Sequence, residues 1–125
     1  MAIVYFRDQD AARGSWMPPV DVYETEGHDL MVKAELAGMT REDIEITVEN
    51  GTLVLKGQKK FDETIKEEHY RRIERNYGQF FRSFTLPNTV DTSKVAADYK
   101  NGILTVKLPF REEAKPRTIN VEVAA

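Results

Sequence analysis

The chain has 125 residues, a formal net charge of −3 and no cysteine. This length suits one domain with its own hydrophobic core. Because cysteine is absent, disulfide frameworks, thiolate metal sites and cysteine nucleophiles are excluded, and the cytoplasm is the expected compartment. The 18 basic and 21 acidic side chains alternate in sign along the chain, so no nucleic-acid partner is predicted.

The first residues are apolar but carry no membrane or targeting signal. Residues 1–6 are followed at once by Arg7 and Asp8, so the apolar run is too short for a signal peptide or a bilayer span. Residues 1–18 show no sustained periodicity, and Pro18-Pro19 resists both helix and interior strand. We predict a flexible N-terminal arm over residues 1–18 and no need for a membrane.

Alternation with a period of two begins at residue 20 and predicts a series of strands. Gly27 lies at a turn between the first two, and Thr40 followed by Asp43 predicts a short capped helical turn. At least seven strands are expected, with one apolar and one solvated face in most of them. The predicted strands cover residues 20–25, 30–36, 44–48, 52–56, 78–86, 95–99 and 103–107.

Two Asn-Gly pairs stand between alternating segments. They are Asn50-Gly51 and Asn101-Gly102. Type I′ turns need a positive φ at both central residues, and Asn-Gly satisfies this requirement better than almost any other pair. Each pair therefore predicts a tight β-hairpin.

Residues 59–77 are ambiguous. Phe61, Ile65, Ile73 and Tyr77 recur at multiples of four, which by itself favours one face of an amphipathic helix. Residues 59–75 contain six basic and five acidic side chains, so this stretch is interpreted as a solvated face and not as a phosphate-binding patch.

The C-terminal residues contain a strand without a neighbour in sequence. Residues 111–116 are charged and end in proline, and residues 117–123 then alternate. A lone strand is unstable in water, so Ile119, Val121 and Val123 must bury on an edge or in a groove. The residues leave two alternatives open: a terminal strand that completes its own sheet, or an anchor that binds a neighbouring subunit.

Candidate catalytic groups are sparse. His28 and His69 are isolated from each other and from a third metal ligand, which favours solvated surface histidines. There is no nucleophile elbow and no glycine-rich phosphate loop. We expect no enzyme activity, no catalytic or metal site, no cofactor and no small-molecule substrate.

Three motifs, taken in order, resemble the small heat-shock proteins of the α-crystallin family, of bacterial type. Ala97 followed by residues 101–106 (Asn-Gly-Ile-Leu-Thr-Val) is similar to the family's signature hairpin. Residues 72–87 run from Arg-Ile-Glu-Arg to Phe-Thr-Leu-Pro and form the second motif. Ile119-Asn120-Val121 resembles the Ile-x-Ile/Val anchor of the tail. The resemblance covers residues 19–123.

The resemblance implies an all-β fold, a two-sheet immunoglobulin-like β-sandwich (an α-crystallin domain) over residues 19–110. A flexible arm over residues 1–18 would precede it and a tail over residues 111–125 would follow it. Dimers would form when a short strand at residues 70–75, within a loop over residues 59–75, pairs with the neighbouring subunit's sheet, and we prefer this strand to the helix. The implied dimer-interface residues are Tyr70, Arg72, Ile73, Glu74 and Arg82. Arg82 is expected either to pair with Glu74 across the interface or to point outward as a plain surface charge.

The implied function is that of an ATP-independent chaperone, a holdase that binds unfolding client proteins as a dynamic homo-oligomer of dimers. Ile119 and Val121 would anchor the tail in a groove formed by Ile44, Ile46, Val48, Val95 and Ala97. Client and assembly contacts are expected from Tyr5, Phe6, Trp16 and Met17, although an apolar but disordered terminus is the plainer interpretation of the arm. The alternative function is a β-sandwich adaptor or co-chaperone module that docks on one specific protein partner.

Overall fold

The structure, a computed structural model, describes residues 15–124. Within this range the chain forms strands and four short 3₁₀ turns but no α-helix. No helix in this part of the chain has the length and apolar character needed to cross a membrane. The strands are β1 (Ser15–Trp16), β2 (Val20–Glu24), β3 (Asp29–Glu35), β4 (Ile44–Glu49), β5 (Thr52–Lys59), β6 (Gly78–Thr85), β7 (Ala96–Lys100) and β8 (Ile103–Pro109).

The strands form two four-stranded sheets. The first sheet has the order β1-β6-β5-β4, and the second has the order β2-β3-β8-β7. All neighbours are antiparallel except β1 and β6, which run parallel. The edge strands are therefore β1 and β4 in the first sheet, and β2 and β7 in the second.

The core lies between the two sheets and explains the alternation in the sequence. Leu53 and Leu55 of β5 face Val32 of β3 and Val106 of β8 within one cluster of buried side chains. Intervening residues such as Lys56 point to solvent, because successive side chains of a strand lie on opposite faces of the sheet. The predicted two-sheet β-sandwich is confirmed.

Both predicted hairpin turns are present. Asn50 and Gly51 have φ values of 51° and 71°, and they join β4 to β5. Asn101 and Gly102 have φ values of 54° and 77°, and they join β7 to β8. Positive φ at both central residues is what a type I′ turn requires.

The predicted capped turn after β3 is also present. A 3₁₀ turn covers Arg41–Asp43. The backbone N–H and the hydroxyl of Thr40 both donate to Asp43 Oδ2, each at 3.0 Å. This turn crosses from the second sheet to the first and positions the start of β4.

The long loop (residues 60–77) is not the amphipathic helix that its periodicity favours. It contains one 3₁₀ turn, Glu67–His69, and neither a helix nor the strand expected at residues 70–75. Phe61 instead stacks on Tyr77, with ring centroids 4.1 Å apart, and meets the edge of Tyr70. The recurrence of apolar residues thus builds a small aromatic cluster, and residues 70–75 have no neighbouring strand in the single chain to pair with.

The end of the predicted flexible arm also differs from the expectation. Residues 15 and 16 form β1, in register with Gln79 and Phe80 of β6. Trp16 and Pro18 are buried. The Trp16 ring packs against Phe80 at a centroid distance of 5.7 Å. Residues 15–18 therefore belong to the sandwich.

Candidate functional site

A groove of about 540 Å³ lies between the edge strands β4 and β7. Ile44 and Ile46 project into it from β4, and Ala97 does so from β7. These three residues were expected to meet in a tail-accepting groove, and the structure brings them together. Alternation produces this surface, since Glu45 and Thr47 on the other face of β4 are exposed.

Val48 and Val95, the other two predicted groove residues, do not line this groove. Both are partly buried and pack against the core between the sheets. Four residues that were not predicted from the sequence complete the lining of the groove, namely Arg41, Asp98, Tyr99 and Leu104. Tyr99 could have been found from the sequence, because it alternates with Ala97 on the same strand.

Tyr99 fixes one end of the groove. Its hydroxyl donates to the carbonyl oxygen of Leu36 at 2.5 Å, between residues 63 positions apart in sequence. The N–H of Leu36 in turn donates to the carbonyl oxygen of Gly102 at 2.7 Å. The segment after β3 is thereby tied to the β7–β8 hairpin, so this wall is held by fixed hydrogen bonds.

Charges of both signs border the groove and leave its interior apolar. Arg41 and Asp98 are both exposed there. Nearby, the two hydrogen bonds from Thr40, assisted by the charge of Lys60, hold the pKa of Asp43 below its usual value. Asp43 thus stays ionised and keeps the turn before β4 in place. The arrangement suits an uncharged apolar segment better than a strongly charged ligand.

The tail presents the complementary apolar side chains. Ile119, Val121 and Val123 are 77%, 89% and 93% exposed. Residues 117–124 form no strand in the chain. In the single chain the tail therefore does not form a terminal strand that completes its own sheet. No tail residue up to residue 124 lines the groove in the single chain, so the groove and the apolar side chains of the tail are both exposed.

The predicted dimer residues of the long loop lie near one another at the surface. Ile73 and Tyr70 line a small cavity of about 320 Å³ with Phe61 and Ile65. Arg72 and Glu74 are exposed and pair with each other, Nη1 to Oε1 at 3.4 Å. This loop surface mixes apolar and charged groups.

Arg82 is not the plain outward charge that one of the two predictions described. It lies on the same face of β6 as the buried Phe80 and is partly buried itself. Its Nη1 donates to the carbonyl oxygen of Pro18 at 2.9 Å, and its guanidinium lies 5.3 Å from the ring centroid of Phe84. Arg82 is therefore not a plain outward charge, and it holds the crossing from β1 to β2.

The predicted client contacts of the arm fall into three groups. Tyr5 and Phe6 lie outside the described residues. Met17 is 43% exposed and lines a cleft beside Phe81. Trp16 is only 6% exposed, so it could contact another polypeptide only after β1 had separated from β6.

The two histidines are not part of a metal cluster in the described range. His28 Nδ1 lies 3.3 Å from Glu24 Oε1 at the surface, and His69 is exposed in the long loop. Among residues 15–124, no group of three or more His, Cys, Asp and Glu side chains is arranged to hold a metal ion.

Comparison with known proteins identifies the family. The sequence model of the Hsp20/alpha crystallin family matches residues 22–123. Spore protein SP21 of Stigmatella aurantiaca is 37% identical over 107 residues, which cover 86% of this chain and 63% of that protein. Small heat shock protein C4 of Rickettsia felis is 35% identical over 104 residues, covering 83% of this chain and 63% of the relative. The chain thus spans somewhat less than two thirds of these relatives.

Solved structures agree with this assignment. A small heat-shock protein from Xylella fastidiosa, described as having a distinct high-order structure, superposes with a TM-score of 0.73 at 36% identity. The match covers 86% of this chain and 98% of the other. The family consists of stress-response proteins known for chaperone activity, not of enzymes. With its sandwich, its hairpins and the match over residues 22–123, this chain belongs to the Hsp20/alpha crystallin family of small heat-shock proteins.

Proposed function

We propose that the protein is an ATP-independent holdase, which binds unfolding client proteins and prevents their aggregation as a dynamic oligomer of dimers. The observation that carries the proposal is the pair of exposed complementary surfaces, the tail with Ile119 and Val121 and the groove with Ile44, Ile46 and Ala97. Apolar surfaces of this kind are normally covered in soluble proteins. We propose that the tail of one subunit covers the groove of another.

The energies suit a reversible assembly. Burial of one Ile or Val side chain contributes about 1.5–3 kcal/mol before the cost of ordering the tail. One docked tail is therefore weak, whereas many tails in one oligomer act together through their high effective concentration. Heating would release tails while each sandwich stays folded, and the uncovered grooves would then bind clients. Met17 and the arm residues Tyr5 and Phe6 are proposed as further client contacts.

We propose that dimers form through the long loop. Tyr70, Arg72, Ile73 and Glu74 would form a strand on the exposed edge strand β2 of a second copy, since an edge strand presents unpaired N–H and C=O groups. Across this interface Arg82 would pair with Glu74 through the N–H groups that do not bind Pro18. The cytoplasm is the proposed compartment.

The anchor is tested by replacing Ile119 and Val121 together with glycine. The oligomer mass, measured by light scattering coupled to size-exclusion chromatography, should fall towards that of a dimer, because the buried tail contacts are lost. The matched control replaces Thr118 and Asn120 with glycine, which adds the same tail flexibility but keeps the apolar side chains, and its mass should stay unchanged.

Client protection is measured on the same proteins by light scattering of a heat-labile client during heating. An unchanged mass in the Ile119/Val121 variant would contradict the anchor proposal. A wild-type protein that is monomeric and protects no client would contradict the holdase proposal and favour an adaptor that docks on one partner.

A further inference from the structure

Lys59 is buried at the base of the long loop. It is the last residue of β5 and pairs in register with Gly78, the first residue of β6, so the loop begins and ends at this pair. Lys59 is 9% exposed. Within residues 15–124 it forms no ion pair with an acidic side chain. A buried ammonium without a carboxylate partner needs another source of stabilisation.

Two aromatic rings offset part of the cost of burying this charge. Lys59 Nζ lies 5.7 Å from the ring centroid of Trp16 and 5.6 Å from that of Tyr77. Both distances are within the range of cation–π attraction. Burial, followed by the nearby charge of Arg75, lowers the pKa of Lys59. The Arg75 guanidinium itself lies 5.6 Å from the Tyr77 centroid.

The two rings belong to different parts of the chain. Trp16 lies in β1, and its Nε1 donates to the carbonyl oxygen of Gly78 at 3.1 Å. Tyr77 ends the long loop and stacks on Phe61 at the start of that loop, with planes 16° apart. A continuous series of contacts therefore runs from Phe61 through Tyr77 and Lys59 to Trp16. We call these four residues the arm–loop cluster.

We propose that the arm–loop cluster couples the pairing of β1 with β6 to the packed conformation of the long loop, so that releasing one loosens the other. Lys59 acts as the positioning residue, because its ammonium contacts one ring from each segment. Coupling between two sites is reciprocal. A partner that draws the loop away would therefore expose Trp16, and a partner that binds the released arm would loosen the loop. The proposal concerns the single chain and does not depend on the tail anchor.

The first test uses Trp16, the one tryptophan of the chain, as a reporter. Phe61→Ala removes the far end of the cluster without touching Trp16. Acrylamide should then quench the fluorescence of the full-length variant more strongly than that of wild type. Lys66→Ala is the control, since Lys66 is exposed in the same loop and lines neither the small cavity nor the arm–loop cluster. Its quenching should equal that of wild type.

The second test acts on the cation. Lys59→Met keeps an unbranched apolar side chain but removes the charge, and Lys60→Met makes the same change at an exposed neighbouring lysine. A glutamate-specific protease can cleave the loop at Glu63, Glu67, Glu68 and Glu74. Cleavage there should be about threefold to thirtyfold faster in Lys59→Met, because a desolvated cation–π contact has this effect on the open population. Lys60→Met should be cleaved at the wild-type rate.

The outcomes separate coupling from general destabilisation. Far-UV circular dichroism and the thermal transition show whether each variant keeps its sandwich, and Phe61 lies outside that core. Wild-type quenching in Phe61→Ala, or an equal rise in Lys66→Ala, would overturn the proposal. So would loop cleavage in Lys59→Met no faster than in Lys60→Met. Neither tryptophan quenching nor loop cleavage measures the oligomer mass. Failure of the coupling proposal can therefore be distinguished from failure of the holdase proposal.

Discussion

Gly57 shows how much one missing side chain can matter. A Cβ placed on Gly57 would lie 2.1 Å from the carbonyl oxygen of Asp43 and 2.6 Å from the ring of Phe80. Both neighbours are fixed, one by the backbone and the other by burial in the core. The turn before β4 can pack directly on β5 only because this position carries no side chain.

Replacing Gly57 with alanine should therefore destabilise the sandwich. We expect the free energy of unfolding to fall by about 1–3 kcal/mol, the usual range for overpacking, as measured by urea denaturation. Gly27→Ala is the control, because its nearest neighbours are 3.8 Å away, and it should change the unfolding free energy by less than about 0.5 kcal/mol. Equal stability of both variants would contradict this account of Gly57.

Arg82 shows where residue-level prediction stops. Its strand alternates and is rich in aromatic residues. Phe80 and Phe81 are adjacent, so the pattern does not show which face of the strand points into the core. Its observed acceptor, the carbonyl oxygen of Pro18, lies 64 positions earlier. A contact of this kind depends on the path of the chain from β1 to β2 in the folded protein. No local pattern in the sequence indicates it.

At the scale of elements, the two Asn-Gly hairpins share turn chemistry but not surroundings. Gly51 and Gly102 both have a positive φ, which an L side chain rarely adopts. A Cβ on Gly51 would meet nothing within 4 Å, whereas one on Gly102 would lie 3.1 Å from Ala37. The second turn is therefore the more constrained of the two.

Replacement of each glycine with alanine should separate the cost of backbone strain, which both variants share, from the cost of steric crowding, which only the Gly102 variant has. We expect Gly51→Ala to lower the free energy of unfolding by about 1–2 kcal/mol, the approximate cost of a left-handed conformation. Gly102→Ala should lower it by about a further 1 kcal/mol, because Ala37 must also move. Thermal and urea denaturation measure the difference, and a smaller loss in Gly102→Ala than in Gly51→Ala would contradict it.

Most elements could be predicted from the sequence, because period-two alternation and Asn-Gly turns are local signals. The groove residues Ile44, Ile46 and Ala97 were predicted through the family resemblance, and the structure brings them together. The long loop could not be predicted in the same way. Its apolar residues at multiples of four fit a helix as well as they fit an aromatic cluster, and only the stacking of Phe61 on Tyr77 separates the two.

At the scale of the whole molecule, acid should weaken the fold through several carboxylates. Hydrogen bonds from Thr40, Thr64 and Ser93 hold the pKa values of Asp43, Asp62 and Asp91 below the ordinary value. A group with a lowered folded-state pKa contributes stability above its unfolded pKa, about 3.9 for aspartate. This contribution is lost as the pH falls through the folded-state value.

The urea midpoint of the wild-type chain should therefore begin to drop below about pH 5 and should keep dropping as the pH falls through the folded-state values. The Asp43→Asn/Asp91→Asn variant, which cannot titrate at two of these positions, should show a smaller drop over the same interval. Its midpoint at pH 7 should be lower than that of wild type, because amides make weaker acceptors than carboxylates. An equal drop in both proteins would mean that other groups control acid stability.

The parallel pairing of β1 with β6 has a consequence for synthesis of the chain. Trp16 is covered by β6 and donates to Gly78, which lies 62 residues later in sequence. A ribosome adding about 5–20 residues per second exposes the N-terminal segment for several seconds before that strand emerges. During this interval Trp16 lacks the strand that covers it in the folded chain, so its burial must follow synthesis of β6.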